Sequence, residues 1–193
     1  MINASLQFLA SQLNQYLRLK NPIQEDMAVV SRLMDNDGRE SERATNKLVL
    51  FLANVEKDSM VQGLSKPELD GNRNVVHSKP IFLNLHVVLA ANFKSQHYEE
   101  SLKYLSKAVG FFQDHNLFDH TTSPDLTPGI EKLVIDIENL NLQELSNLWS
   151  LIGCKYLPSV MYKVRTLALG SSYSYYRPYI VEIPEDVDMR IFR

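Results

Sequence analysis

Histidine, cysteine and clustered carboxylates are the side chains most able to do chemistry, and this chain holds them in patterns that suit little of it. Cys154 is the single cysteine, so neither an intramolecular disulfide nor a cysteine-based zinc site can form. His115 and His120 flank Asp114 and Asp119, types that could ligate a metal. They fall at the end of an expected helix and in the loop beyond it, where polar residues are ordinary, and they read as surface histidines. His86 lies mid-strand and reads as a satisfied, half-buried histidine rather than a catalytic base. His97 is expected in the first turn of a helix and His77 in a loop. Asp35-x-Asp37-Gly38 has the start of a calcium loop. With Gly38 at the sixth position, however, the first ligand would be Leu33 and the twelfth Ala44, so a turn is the better reading.

Other chemistries leave equally little. The chain has seven glycines, none followed by lysine and none arranged as G-x-G-x-x-G, which argues against a phosphate-binding loop or a dinucleotide fold. Neither G-x-S-x-G nor a local cysteine-nucleophile signature occurs. No catalytic, cofactor-binding or metal residue is assigned on these grounds. A triad dispersed in sequence stays open, with His86 or His115 as its centre.

The elements that would position these residues follow from hydrophobic spacing. Ile2, Leu6, Leu9, Leu13, Tyr16 and Leu17 make one stripe of a helix over residues 2–20, stopped by Asn21-Pro22. Residues 23–34 are expected to form a second short helix or turn, and residues 35–40 a polar loop. The run Lys47 to Val55 is apolar on both faces, as a central strand covered on both sides would be, with a buried helix segment as the alternative. A long polar stretch, Glu56 to Ser78, precedes a second strand opened by Pro80. There Ile81, Leu83, Leu85, Val87 and Leu89 share one face, and Phe82, Asn84, His86, Val88 and Ala90 the other.

Ser95 is the expected N-cap of a helix over about residues 96–114. Tyr98, Leu102, Leu105, Val109 and Phe112 recur at helical spacing there, widened by Ala108 and Phe111. Residues 116–129 read as loop, and Leu133, Ile135 and Ile137 as the inner face of a third strand. Asn141 and Glu144 form a capping-box pattern for a short helix through Leu151, with Trp149 expected in the core. After Pro158, Val160 to Leu169 reads as a fourth strand. The alternation predicts an α/β (α+β) fold, a mixed sheet of about four strands packed with helices. Residues 1–170 form one domain, and residues 171–193 an extended C-terminal arm.

Composition limits the partners. Of 193 residues, 45% are hydrophobic and 22% charged, and the net charge is −3. These values are ordinary for a globular domain, and the charges are scattered without the basic stripe that nucleic acid would need. No basic segment leads into a long apolar run at the N-terminus, so neither a signal peptide nor a membrane span is expected, and Asn3-Ala4-Ser5 reads as a chance sequon. These features suit a reducing cytoplasm. The arm is different: Tyr173, Tyr175, Tyr176 and Tyr179, followed by Ile180, Val181 and Ile183, combine interface-type tyrosines with strand-like alternation. They are the candidate partner interface, weighed against a disordered tail with chance tyrosines.

Two stretches carry a resemblance. One is Lys79-Pro80-Ile81-Phe82-Leu83-Asn84-Leu85-His86-Val87-Val88-Leu89-Ala90-Ala91, followed by Tyr98-Glu99-Glu100-Ser101-Leu102 and Gly110-Phe111-Phe112-Gln113. The other is Glu144-Leu145-Ser146-Asn147-Leu148-Trp149-Ser150 with Leu157-Pro158-Ser159-Val160-Met161-Tyr162-Lys163-Val164-Arg165. In this order they resemble the N-terminal domain of cap proteins of extracellular contractile injection systems, the virulence-cassette and antifeeding-prophage type, over roughly residues 4–170. The resemblance implies a structural, non-enzymatic subunit of a homo-oligomeric ring, with a hexamer expected, that closes the inner tube and the last sheath layer. Its partners would be tube and sheath proteins, its place of assembly the cytoplasm and its destination the particle, released outside the cell in some systems. Members often carry a further C-terminal region, and only a short tail follows residue 170 here. A baseplate adaptor or another oligomeric scaffold, and a small α/β enzyme, are the rival readings.

Overall fold

In the computed structural model, residues 1–20, 25–35, 37–58, 75–76, 81–168 and 175–176 are described. Helix α1 spans Ile2–Lys20, α2 Tyr98–Asp114 and α3 Leu142–Ile152. The strands are β1 Ala28–Val30, β2 Lys47–Lys57, β3 Val75–Val76, β4 Ile81–Asn92, β5 Leu117–Asp119, β6 Ile130–Glu138, β7 Ser159–Ala168 and β8 Tyr175–Tyr176. Six of them form one mixed sheet in the order β1-β2-β4-β7-β6-β5, in which only the β1–β2 pair is parallel. The α+β class stands, and the sheet is wider than the expected four strands. The two additions are its edges: β1 lies within residues 23–34, where a helix or turn was expected, and β5 within the expected loop 116–129.

Both faces of the sheet are covered, and the alternation of β4 shows how. Leu85, Val87, Leu89 and Ala91 face α1 and α2, in a core with Leu9, Leu13, Tyr104, Ala108 and Phe112. Val88 and Ala90 face the other way, against Val49 and the Trp149 indole of α3. From Asn84 to Asn92 every residue of β4 is buried. The strand covered on both faces is therefore β4, and not β2 as its apolar run suggested. Strand β2 is buried at Leu48, Val49 and Leu50, then passes a bulge between Leu52 and Asn54 and emerges, with Leu52 and Val55 each 36% exposed. A bulge adds a residue to one strand and re-aims those after it, which places Asn54 and Glu56 on the face of His86.

Helix α1 lies between the two edges of the curled sheet. On one side Asn14 acts as a surrogate strand: its Nδ2–H donates to the Ala28 carbonyl and the Ala28 N–H donates to its Oδ1, both at 2.8 Å. On the other side Phe8 meets Phe118 of β5 edge to face, with ring centroids 5.4 Å apart, and Tyr16 packs on Phe111 at 5.0 Å. A three-residue strand has little intrinsic stability, and β1 forms because β2 and Asn14 satisfy its backbone from both sides.

Local chemistry sets the helix ends. The capping box of α3 is present as expected, the Glu144 N–H donating to Asn141 Oδ1 and the Asn141 N–H to Glu144 Oε2, each at 2.9 Å. Gly153 closes that helix at φ +75°, a conformation glycine adopts without strain. Ser95 does not cap α2. A 3-10 turn over Ser95–His97 comes first, the helix proper begins at Tyr98, and His97 holds the cap position without a side-chain capping bond to the helix backbone.

Asn14→Leu keeps the volume and removes the amide, leaving two buried backbone groups of Ala28 without partners. The expected loss is about 1–3 kcal/mol, read as a lower denaturant midpoint with an unchanged slope.

Candidate docking surfaces

Among the described residues the histidines do not gather into a site. His86 is buried at 6% exposure, deeper than the half-buried position expected. Its Nδ1 lies 2.6 Å from Glu138 Oε2. Its Nε2 is 3.2 Å from Glu56 Oε2, yet that contact is too poorly aligned to be a hydrogen bond. The Glu138 contact is therefore the one that fixes the ring. Across the sheet from His86 stand Asn54 and Lys163, and beyond them the Arg165–Asp136 ion pair. This is a charge-laced sheet face in which every group has an opposite charge or amide nearby. The buried Oδ1 of neighbouring Asn84 has no partner.

His115 is exposed at the end of α2, its ring stacked on Phe111 at 4.9 Å, and His120 is exposed in the following turn. Neither approaches His86 in sequence or sheet position. Burial pushes the thiol of Cys154 up, away from the reactive thiolate form. Among the described residues no group of three His, Cys, Asp or Glu is placed to hold a metal ion. Asp35 and Gly38 form a tight turn, with the Gly38 N–H on the Asp35 carbonyl at 3.0 Å, and His77 lies outside the described residues.

The tyrosine-rich arm is described at two positions. The backbone of Tyr175 and Tyr176 pairs antiparallel with Val76 and Val75, making a two-stranded ribbon apart from the main sheet. Tyr173, Tyr179, Ile180, Val181 and Ile183 lie outside the described residues.

Exposed apolar side chains mark surfaces rather than cavities. On α3, Leu142 and Leu151 are 86% and 84% exposed, with Tyr156 just beyond. Leu19 protrudes from the end of α1 beside a groove of about 250 Å³ floored by Tyr16, Phe111, Leu117 and Phe118. Sequence reasoning missed these positions because periodicity identifies the buried face of a helix and is silent about what the outer face meets. Among the described residues no helix is long and apolar enough to cross a membrane.

At the edge of this groove Asp119 closes a turn. Its carboxylate accepts the N–H groups of Thr121 and Thr122, at 2.9 and 2.8 Å, and the Thr122 hydroxyl at 3.0 Å. The Thr122 backbone and hydroxyl bonds, above all, hold its pKa below the ordinary carboxylate value. A carboxyl with a lowered folded pKa stabilises above its unfolded pKa, and that contribution disappears as pH falls through the folded value. Asp119→Ala is therefore expected to lower the melting temperature at neutral pH and to melt together with the parent chain in strong acid.

Solved structures share this fold. The anti-feeding prophage cap, a tube-terminating cap, superposes with a TM-score of 0.58 at 11% identity, covering 92% of this chain and 58% of that one. The sheath/tube terminator of the PVC extracellular contractile injection system, in its extended state, gives 0.61 at 14% identity, covering 100% of this chain and 65% of that one. This chain thus spans less than two thirds of either. No curated protein matches the sequence. The model of the Pvc16 N-terminal domain matches residues 6–182, and the chain belongs to that family.

Proposed function

We propose that this chain is a structural cap subunit that terminates the inner tube and sheath of a contractile injection particle as a closed ring, with six copies as the expected number. One observation carries the reading. The fold matches, over nearly the whole chain, the tube-terminating cap of the anti-feeding prophage and the sheath/tube terminator of an extracellular contractile injection system. The physics of termination agrees with it. A subunit that stops a helical polymer must bind the last layer and offer no surface for the next, which closed rotational symmetry achieves. It needs faces of the right shape and no catalytic group. Its partners are then tube and sheath subunits, with assembly in the cytoplasm and the finished particle as its destination.

The arm serves that assembly. Tyr179 to Ile183 has the alternation to add a strand to a neighbouring protein's open sheet edge, where backbone hydrogen bonds supply affinity. Tyr173, Tyr175 and Tyr176 supply contact area.

Two experiments test this. Producing the particle without this chain should yield tubes and sheaths of widely scattered length, and supplying the chain in trans should restore a single length. A normal length distribution in its absence contradicts the terminator role. Deleting residues 171–193 should leave the melting temperature of the domain nearly unchanged while abolishing its recovery with particles. Normal recovery of the truncated chain would remove the arm from assembly.

A further inference from the structure

The outer edge of β1 is only partly covered. In its parallel pairing with β2, the Leu48 N–H donates to the Met27 carbonyl and the Ser31 N–H to the Leu50 carbonyl. Met27, Val29 and Ser31 therefore turn their backbone groups toward β2, and Ala28 and Val30 turn theirs away, as the alternation of a strand requires. Asn14 takes both outward groups of Ala28. Among the described residues no group meets the outward N–H and C=O of Val30. Beside them lies a groove of about 520 Å³, lined by Gln7, Ser11 and Asn14 of α1 together with Ala28, Val30 and Arg43. Arg43 is exposed and makes no ion pair among the described residues. A stretch of open edge beside a groove has the form of a site that takes a further strand.

The end of the chain carries a segment of matching length and charge. Tyr179-Ile180-Val181-Glu182-Ile183 alternates, and Pro178 and Pro184 bracket it. Proline has no N–H to donate, so pairing is confined to the residues between the two. The open edge is equally short. Its cation, Arg43, has a counterpart in Glu182, and Glu185, Asp186 and Asp188 follow closely. Reach then sets whose arm it is. Strand β1 lies at the level of Leu48 to Leu50, across from Leu89 to Ala91 of β4 and the start of β7 at Ser159 and Val160. The arm leaves the sheet after Ala168, at the far end of β7. Nine residues along β7 and three strand spacings separate the two places, about 33 Å along the sheet at roughly 3.3 Å per residue and 4.8 Å per spacing. The chain from Ala168 to Tyr179 spans about 36–40 Å when fully extended. Tyr175 and Tyr176 are tied to Val76 and Val75 on the way, and a path around the surface is longer than one along the sheet. The arm is therefore too short to lap onto its own β1, and the edge it fills belongs to another copy.

We infer that residues 179–183 of one copy add as a strand to the outer edge of β1 in the next copy, with Glu182 set against Arg43. The inference rests on the ring and the arm proposed above and names the edge that receives the arm. The outward N–H and C=O of Val30 pair with the arm's backbone, and Gln7 and Ser11 of α1 wall the added strand. The surface that gives and the surface that receives are different, so the contact is head-to-tail, and such contacts close into a ring when the rotation permits.

Charge exchange and cross-linking in assembled particles test it. Arg43→Glu and Glu182→Arg each oppose like charges and should lower recovery of the chain with particles by about tenfold. One chain carrying both substitutions should be recovered like the parent. Lys103→Glu on α2 should leave recovery unchanged, and the thermal melts of all these variants should overlay the parent's. Full recovery of both single variants, or no rescue by the pair, would overturn the contact. Cross-linking identifies the donor. In a Cys154→Ser background, chains carrying only Ser11→Cys are produced together with chains carrying only Val181→Cys. A short bis-maleimide should join the two into a covalent dimer that neither variant gives alone, and a chain carrying both should give a ladder beyond the dimer. An internal cross-link without a ladder would put the arm on its own β1 and overturn the inference. Cross-links to tube or sheath alone, or none in particles that hold the chain, would do the same while leaving the ring reading standing. Absence of even the parent chain from particles would overturn the ring reading and this inference together.

Discussion

The placement of α1 between the two edges of the sheet is the constraint on which the rest depends. A six-stranded sheet has two edges with unpaired backbone, and each is an invitation to uncontrolled pairing. Here one helix serves both edges by different means. Asn14 hydrogen-bonds the backbone of Ala28 on β1 as a further strand would, and Phe8 and Tyr16 close apolar contacts toward β5 and α2. With the edges held, the sheet curls around α1 and α2, β4 is buried at its centre and α3 covers the other face. A helix in that position cannot be traded for a loop without releasing two strands at once.

The parts of this arrangement legible in the sequence are those set by local chemistry. The α3 capping box was legible because Asn141 and Glu144 are three residues apart and their reciprocal bonds need nothing else. The α1 stripe and the two-faced alternation of β4 were legible because one periodicity runs through each, whereas the α2 stripe was placed one step round the helix: Tyr98 and Leu102 are exposed, and Ser101, Tyr104 and Ala108 are buried with Phe111 and Phe112. Strands β1 and β5 were not, since three residues carry no period and their identity is conferred by β2, β6 and Asn14 across long sequence separations. The N-terminus of α2 was misplaced for a related reason: Ser95 is a good cap by type, but the chain turns through Ser95–His97 before the helix begins. The apolar run of β2 suggested cover on both faces, but only Leu48, Val49 and Leu50 are buried, and Leu52 and residues 54–57 are exposed.

The same division holds for function. Among the described residues, those able to do chemistry stand apart: His86 is held by Glu138 within a sheet face, His115 rests on Phe111 at the surface, and burial pushes the Cys154 thiol up. The outer faces of α1 and α3 were not legible as surfaces, although their lack of charge was visible in the string. Without knowing which side of each helix faces outward, a run of Gln, Ser and Asn has no direction. The fold turns that composition into two neutral surfaces on opposite sides of one sheet.

The most direct measurement is to gold-label an epitope-tagged copy of the chain in particles purified from its native host and to locate the label by electron microscopy. The account predicts label at a single end of each rod, the end away from the baseplate. Label at the baseplate or along the rod, or a tagged chain that purifies without particles under gentle conditions, would contradict it.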